Sequence, residues 1–84
     1  MKTATKTITV RYFAMFRESA GVSEEALTID AKTAGDVFEA TRLRHGSSEP
    51  LAHCKVAIND QMADWESLVS DGDTVLLFPP VAGG

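Results

Sequence analysis

The stretch TVLLF at Thr74–Phe78 decides the fold of this 84-residue chain, because its apolar and β-branched side chains run without a charged or amide break. A strand with one face in water alternates apolar and polar residues, whereas a strand covered on both faces is a continuous apolar run. The stretch therefore predicts a central strand of a sheet. The turn sequence Ser70–Asp73 precedes it, and Pro79 and Pro80 end it because proline cannot continue a sheet ladder.

Four further strands are predicted by alternation or by turn chemistry: Thr7–Tyr12, Glu25–Ile29, Cys54–Ile58 and Gln61–Ala63. The first three alternate inward-facing and outward-facing residues, as strands with one buried face do. The turn Asn59–Gln61 joins the last two strands into a hairpin. The predicted inward side chains are Ile8, Val10, Tyr12, Leu27, Ile29, Cys54, Val56 and Ile58.

One main helix is predicted between Thr33 and Gly46. Thr33 is a hydroxyl N-cap, and Asp36 places a carboxylate where the helix dipole favours negative charge. Gly46 closes the helix, as glycine commonly does. Two shorter pieces are predicted, a helix at Ala14–Ala20 and a single helical turn at Glu66–Val69. The apolar stripe of the main helix is Ala34, Val37, Phe38 and Thr41.

The order of these elements indicates the fold class. Runs of strands around one main helix are typical of an α+β fold, here with a mixed sheet of four to five strands. A chain of 84 residues builds one small core. We therefore expect a single domain over residues 1–78 and an extended tail at residues 79–84.

Composition excludes several classes of function. The chain has 8 Lys and Arg against 12 Asp and Glu, for a net charge of −4, which argues against binding nucleic acid. One cysteine permits no internal disulfide, and with only two histidines it argues against a zinc site. No stretch approaches the roughly 20 apolar residues of a membrane span, and no signal peptide is evident. We expect a cytoplasmic protein with no bound metal, no bound cofactor and no membrane partner.

The side chains form no recognisable catalytic constellation. Cys54 shares a strand face with apolar residues, which indicates a core cysteine rather than a nucleophile. His45, at the end of the main helix, is interpreted as a charge that stabilises the helix dipole. Glu24 and Glu25 are interpreted as solvated, and Asp71–Asp73 as a turn. The chain is therefore predicted to be non-catalytic by itself.

The C-terminus carries the strongest chemical signal. Its residues are Pro79, Pro80, Val81, Ala82, Gly83 and Gly84. The prolines favour an extended chain, and glycine lacks a Cβ, so this backbone can thread a narrow channel past catalytic groups. The reactive group is the carboxylate of Gly84, which becomes reactive once another protein converts it to an acyl-adenylate with ATP.

Apolar side chains out of phase with the strands predict a docking surface. Phe13 follows Tyr12 directly, so the two side chains point to opposite faces of the sheet. Leu76 and Phe78 occupy the second face of the central strand, and Met62 lies in the short fourth strand. A chain this small has few loops to cover a second face. We therefore expect an exposed patch at the root of the tail, where a partner docks.

Four segments together resemble one known family: Tyr12–Gly21 (YFAMFRESAG), the turn at Asn59, the turn Asp71–Asp73 and the ending Phe78–Gly84 (FPPVAGG). They resemble the small subunit of molybdopterin synthase, a family of ubiquitin-like sulfur carriers. The likeness covers nearly the whole chain after Thr5, and the ending is its most specific part. The resemblance implies the β-grasp fold, in agreement with the element order above.

The resemblance also implies a function. An ATP-dependent activating enzyme adenylates Gly84, and sulfur then replaces the adenylate to give a C-terminal thiocarboxylate. The tail inserts into the active site of the large synthase subunit and donates sulfur to a cyclic pyranopterin precursor of molybdopterin. Family members form a heterotetramer in which two small subunits flank a large-subunit dimer. The implied partner contacts are Phe13, Met62, Phe78, Pro79, Pro80, Val81 and Ala82, with Gly83 and Gly84 at the reaction centre.

Three alternatives stay open. A sulfur carrier for thiamine or tRNA thiolation shares the fold and the Gly-Gly end, although the Pro-Pro-Val-Ala approach favours molybdopterin synthesis. A ubiquitin-like protein modifier forms isopeptide bonds through Gly84, and a plain interaction domain has an inert tail. In each case the net charge of −4 predicts basic surface on the partners.

Overall fold

Five strands and two α-helices form the part of the chain that the computed structural model describes, residues 5–13, 15–46 and 50–78. The strands are β1 (Lys6–Tyr12), β2 (Glu24–Ile29), β3 (Lys55–Ile58), β4 (Gln61–Ala63) and β5 (Thr74–Phe78). The helices are α1 (Met15–Ala20) and α2 (Ala34–His45), and a 3₁₀ turn spans Leu51–His53. The predicted tail, residues 79–84, and the predicted first residue of the short helix, Ala14, lie outside the described residues. The division into domain and tail therefore stays a prediction.

The sheet places β5 at its centre, as the apolar run predicts. The strand order is β2-β1-β5-β3-β4, with β5 parallel to β1 and antiparallel to β3. The β1–β2 and β3–β4 pairs are antiparallel, so the sheet is mixed. Val75 and Leu77 are fully buried on one face, and Leu76 is 8% exposed on the other. The predicted α+β architecture is confirmed, with five strands.

The hydrophobic core lies between the sheet and the helices. The inward residues of β1, at 3% exposure or less, are Ile8, Val10 and Tyr12. The buried stripe of α2 is the predicted set of Ala34, Val37, Phe38 and Thr41. Phe38 makes edge-to-face contacts with Phe16 and Trp65, at centroid distances of 5.9 and 5.2 Å. Both helices thus pack on one face of the sheet and leave the second face to other contacts.

Caps define both ends of α2, as the sequence predicts. The Asp36 N–H donates to the Thr33 hydroxyl at 3.2 Å, and the Thr33 N–H donates to the Asp36 carboxylate at 3.1 Å. This reciprocal capping box satisfies N–H groups that a helix N-terminus leaves without intrahelical partners. Gly46 ends the helix in the left-handed conformation, with φ at 75°, and donates its N–H to the Arg42 carbonyl.

The segment Glu66–Val69 differs from the prediction, because it is not a helical turn. Leu68 instead forms an antiparallel bridge with Thr33 and is 76% exposed, while the last residue of the segment is buried. The reason is a contact distant in sequence. The Ala34 N–H, at the start of α2, donates to the Ser67 carbonyl at 2.9 Å. The Ser67 carbonyl thereby supplies an acceptor to the N-terminus of α2, while the Ser67 N–H closes a simple turn on the Asp64 carbonyl at 3.0 Å.

Cys54 lies one residue before β3 rather than in it. Its N–H donates to the Leu51 carbonyl at 3.0 Å and closes the 3₁₀ turn, so the strand begins at Lys55. The thiol is 3% exposed and lies 3.4 Å from the Pro50 carbonyl, to which it donates. The prediction of a core cysteine is confirmed, and the predicted strand is one residue too long.

Candidate functional site

The second face of the sheet, opposite the helices, carries the candidate site. Side chains alternate across a strand, so the residues between the inward positions of β5 and β3 point to this face. On β5 these are Leu76 and Phe78, and on β3 they are Lys55 and Ala57. In the antiparallel register Ala57 lies opposite Leu76, and Lys55 lies opposite Phe78. Apolar side chains therefore line this face towards the end of β5.

Two aromatic rings stack where β5 ends. Phe13 is the residue after β1 and Phe78 is the last residue of β5, and these strands run parallel, so their ends lie side by side. The ring centroids are 4.9 Å apart and the ring planes differ by 12°. Both residues are partly exposed. The structure thus brings together two residues that the sequence predicts at the docking surface, while their contact with a partner stays a prediction.

A row of apolar side chains extends from β5 towards the edge of the sheet. Ala57 pairs with Leu76 on one side and with Met62 on the other. Met62 is 66% exposed, whereas Leu76 and Ala57 are buried, at 8% and 4% exposure, so the prediction of an exposed second face is wrong at Leu76. We call the row and the ring pair together the docking patch. It consists of Phe13, Ala57, Met62, Leu76 and Phe78.

The predicted tail follows the last residue of the docking patch in the sequence. Phe78 is the last described residue, and Gly84 lies six residues further along the chain. The residues predicted to enter the partner lie outside the described part of the chain: Pro79, Pro80, Val81, Ala82, Gly83 and Gly84.

Acidic side chains hold the turn that precedes β5. The Asp73 carboxylate accepts a hydrogen bond from the Asn59 side-chain amide at 2.9 Å and another from the Ser70 N–H at 2.8 Å. The Asp71 carboxylate accepts one from the Thr7 N–H at 2.7 Å. These bonds anchor the start of β5, at the opposite end of the strand from the docking patch. The interpretation of Asp71–Asp73 as a structural turn is confirmed.

The sequence misses a polar cluster that joins α2 to β1 and β2. The Tyr12 hydroxyl donates to the Glu25 carboxylate at 2.5 Å, and His45 Nε2 lies 2.5 Å from the same oxygen. Arg44 Nε donates to the other oxygen at 3.2 Å. The side chains of Glu25 and His45 are only 16% and 15% exposed. The interpretation of Glu25 as solvated is therefore wrong.

A signal for this cluster was present in the sequence. Glu25 is two residues from Leu27, which points into the core. Because side chains alternate along β2, Glu25 lies on the same face, the helix side of the sheet. A tyrosine hydroxyl on the inward face of β1 also needs a hydrogen-bond partner. The neighbouring Glu24 is exposed, as predicted, and its carboxylate lies 3.5 Å from the Arg11 guanidinium.

The cluster shifts two pKa values. Burial raises the pKa of the Tyr12 hydroxyl far above its ordinary value, and the hydrogen bond to Glu25 adds to the rise. Burial also raises the pKa of Glu25, but the hydrogen bonds from His45 and Tyr12 outweigh it and leave the pKa below its usual range. At neutral pH Tyr12 is thus a neutral donor and Glu25 a carboxylate. The cluster fastens the last turn of α2 to the sheet and lies apart from the docking patch.

The described residues were also searched for clusters of metal-ligating side chains and for helices that could cross a membrane. Within residues 5–13, 15–46 and 50–78, no three His, Cys, Asp or Glu side chains are placed so that they could hold a metal ion. No helix in the same part of the chain is long and apolar enough to cross a membrane.

A groove of about 530 Å³ runs beside β4 and is lined in part by Met62 and Leu68, so the surface next to the patch is concave.

The chain is similar to known proteins over nearly its whole length. The model of the ThiS family matches residues 10–84. A curated protein from Haemophilus influenzae, named molybdopterin synthase sulfur carrier subunit, is 40% identical over 81 residues, which cover 92% of this chain and 99% of that protein. The resemblance read from the tail and the turns is therefore confirmed.

Two solved structures share the fold. A chain from the protein–protein complex of subunit 1 and 2 of molybdopterin-converting factor of Helicobacter pylori matches with a TM-score of 0.60 and 30% identity, over 93% of this chain and 99% of that chain. Small archaeal modifier protein 1 of Haloferax volcanii matches with a TM-score of 0.77 and 27% identity, over 90% of this chain and 99% of that chain. The predicted β-grasp, ubiquitin-like fold is thereby confirmed.

Proposed function

The chain belongs to the ThiS family, and we propose that it is a sulfur carrier in the synthesis of molybdopterin. One observation carries the proposal: the stacked pair of Phe13 and Phe78 lies at the root of a tail that ends in Gly83-Gly84. An apolar patch at this point lets a partner hold the domain while the tail reaches its active site. The name of the Haemophilus influenzae relative supports this function.

The chemistry takes place on the carboxylate of Gly84. In an activating enzyme, a carboxylate oxygen attacks the α-phosphorus of ATP, pyrophosphate leaves, and an acyl-adenylate forms. Hydrosulfide then attacks the acyl carbon, AMP leaves and a proton is lost, which produces the thiocarboxylate. Its anionic sulfur is a good nucleophile at neutral pH. The domain itself supplies no catalytic group to these steps and binds no cofactor in our proposal, since ATP is bound by the activating enzyme.

We propose the large synthase subunit as the partner that covers the docking patch. The similarity to a chain from a complex of subunits 1 and 2 in Helicobacter pylori supports a partner of this kind. Six residues follow Phe78, and an extended chain spans at most about 3.3–3.6 Å per residue, so we expect the sulfur-accepting centre within about 20 Å of Phe78. A closed channel around the tail excludes water from the thiocarboxylate and raises its effective concentration at the pterin precursor. Two such carriers flanking a large-subunit dimer would form the heterotetramer that the family resemblance implies.

A reconstituted reaction tests the proposal. Purified carrier with a thiocarboxylate on Gly84 is mixed with the large subunit and the cyclic pyranopterin precursor, and molybdopterin is measured. We expect product with the full-length chain and none with a variant that lacks Gly84. A variant that lacks residues 2–4, at the other end of the chain, is the matched control and keeps full yield. Product without Gly84, or none with the intact carrier, would overturn the proposal.

A protein modifier is the second candidate, because the chain is also similar to small archaeal modifier protein 1. A modifier forms isopeptide bonds through Gly84, so tagged chain recovered from cells would be attached to other proteins. A carrier would instead be recovered with one oxygen of its C-terminus replaced by sulfur, which intact mass spectrometry detects. Carriers for thiamine or tRNA thiolation gain the same sulfur, but they yield no molybdopterin with the large subunit.

A further inference from the structure

Lys55 lies at the edge of the docking patch, directly beside the root of the tail. It is the first residue of β3 and pairs across the ladder with Phe78, so the two side chains share the second face of the sheet. Phe13 stacks on the same Phe78 ring. The last residue of β5 is therefore flanked by an aromatic ring and by a lysine.

The ammonium of Lys55 is not neutralised by the described part of the chain. The side chain is exposed, and no carboxylate of the described residues lies within 4.0 Å of its nitrogen. This includes Asp64 and Glu66, which are near in the fold because they line the same depression as Lys55. Each arginine that does pair has a carboxylate at 2.8 to 3.5 Å. Lys55 thus adds an uncompensated positive charge beside the docking patch of an acidic chain.

Docking over Phe78 changes the surroundings of this charge. A partner that binds the tail must enclose the chain next to Phe78. In doing so it removes water from Lys55, which lies opposite Phe78. An ammonium that loses water without gaining an anionic partner is costly, whereas a carboxylate placed against it restores the lost interaction. Charged pairs next to an apolar contact also fix the orientation of docking and exclude wrong partners.

We propose that the large subunit places a carboxylate against Lys55 at the entrance to its tail channel. This inference rests on the proposed function and adds the chemistry of the partner surface. The net charge of −4 favours a partner that is basic overall, so the proposed acidic contact is a local reversal of that pattern. A charge pair at Lys55 would fix the docking orientation at the point where the tail leaves the domain.

Two charge reversals test the inference with the purified large subunit from the same organism. Lys55→Glu and Lys32→Glu each change the net charge of the carrier from −4 by the same amount. Lys32 is the control because it is exposed, directly precedes the N-cap of α2, and belongs neither to β3 nor to the docking patch. We expect Lys55→Glu to raise the Kd at least about tenfold and Lys32→Glu to change it less than about twofold. Lys55→Gln removes the charge without reversing it, so we expect its Kd to fall between those of the two reversals. We also expect the Kd of this variant to depend less on salt.

The outcomes separate this inference from the proposed function. Equal Kd values for the two reversals, with tight binding of the unmodified carrier, would overturn the carboxylate at Lys55 and leave the carrier function standing. No binding of the unmodified carrier would overturn both. A lysine substituted for one acidic residue of the large subunit that restores binding of Lys55→Glu would identify the paired carboxylate. Circular dichroism melting of each variant shows that the fold is retained, and Lys55→Gln decides if Lys55→Glu fails to fold.

Discussion

Phe78 stacks on Phe13 and is the last described residue before Pro79, at the start of the predicted tail. A glutamate at this position puts a charge at the centre of the docking patch, and a partner that covers it must dehydrate that charge. We expect Phe78→Glu to weaken binding of the large subunit by about 2 kcal/mol or more, which is roughly a thirtyfold rise in Kd. Isothermal titration calorimetry measures the change.

Leu43→Glu is the matched control for this substitution. Leu43 is 84% exposed on α2, which packs against the other face of the sheet. The control therefore exchanges an accessible apolar side chain for the same charge outside the docking patch, and we expect its Kd to stay within about twofold of the wild type. A similar loss in both variants, or an unchanged Kd for Phe78→Glu, would place the docking surface elsewhere on the molecule.

Among the elements, the Glu25 cluster fastens α2 to β1 and β2 in a way that depends on pH. Hydrogen bonds from His45 and Tyr12 hold the folded pKa of Glu25 below its ordinary value, against the effect of burial. A carboxyl group whose pKa is lowered on folding stabilises the folded state at pH values above its unfolded pKa, about 4.3. That contribution is lost as the pH falls through the folded pKa.

Glu25→Gln tests the contribution of the cluster. We expect the variant to lose about 2 kcal/mol of the free energy of unfolding at neutral pH, because hydrogen bonds to a charged group are replaced by weaker neutral ones. The difference from the wild type should shrink as the pH falls below the unfolded pKa and through the lower folded pKa of Glu25. Urea denaturation at each pH measures the difference.

Glu24→Gln is the control. The ion pair of Glu24 with Arg11 is exposed, so we expect this variant to change the free energy of unfolding by less than about 0.5 kcal/mol. A difference that does not vary with pH would contradict the role of Glu25.

The elements predicted from the sequence are those whose signals are local. Thr33 and Gly46 define the ends of α2 through contacts within a few residues, and the run Thr74–Phe78 specifies a central strand by its composition alone. The segment Glu66–Val69 was wrongly predicted as a helical turn, because its conformation depends on an acceptor that it supplies to the distant start of α2. The Glu25 cluster also joins residues twenty positions apart, as His45 and Glu25 are.

The candidate site was predictable in part for the same reason. Alternation places Phe13 and Phe78 on the second face of the sheet, and the Gly-Gly ending marks the reactive tail. The stacking of the two rings follows only from the parallel pairing of β1 with β5. The position of Lys55 beside Phe78 likewise requires the β3–β5 register, which no local pattern specifies.

At the scale of the whole molecule, net charge and the docking patch affect binding at different distances. A net charge of −4 acts at long range and favours a partner with basic surface. In our proposal the docking patch acts only on contact, through apolar side chains and the neighbouring ammonium of Lys55. Salt weakens the first effect by screening and changes the apolar contact little. A carrier that must be released after each transfer is served by this combination, because steering raises the association rate without making dissociation slow.

The whole molecule also divides, in our proposal, into a domain that docks and a tail that reacts. The core residues of the described chain run from Ile8 to Leu77, so the fold should not depend on the last residues. We expect a chain that ends at Pro80 to unfold within about 0.5 kcal/mol of the full-length protein in urea. Because it keeps the docking patch, it should compete with the full-length carrier for the large subunit and inhibit molybdopterin formation, while donating no sulfur itself. Failure to compete, with the fold intact, would mean that the tail rather than the patch holds the complex together.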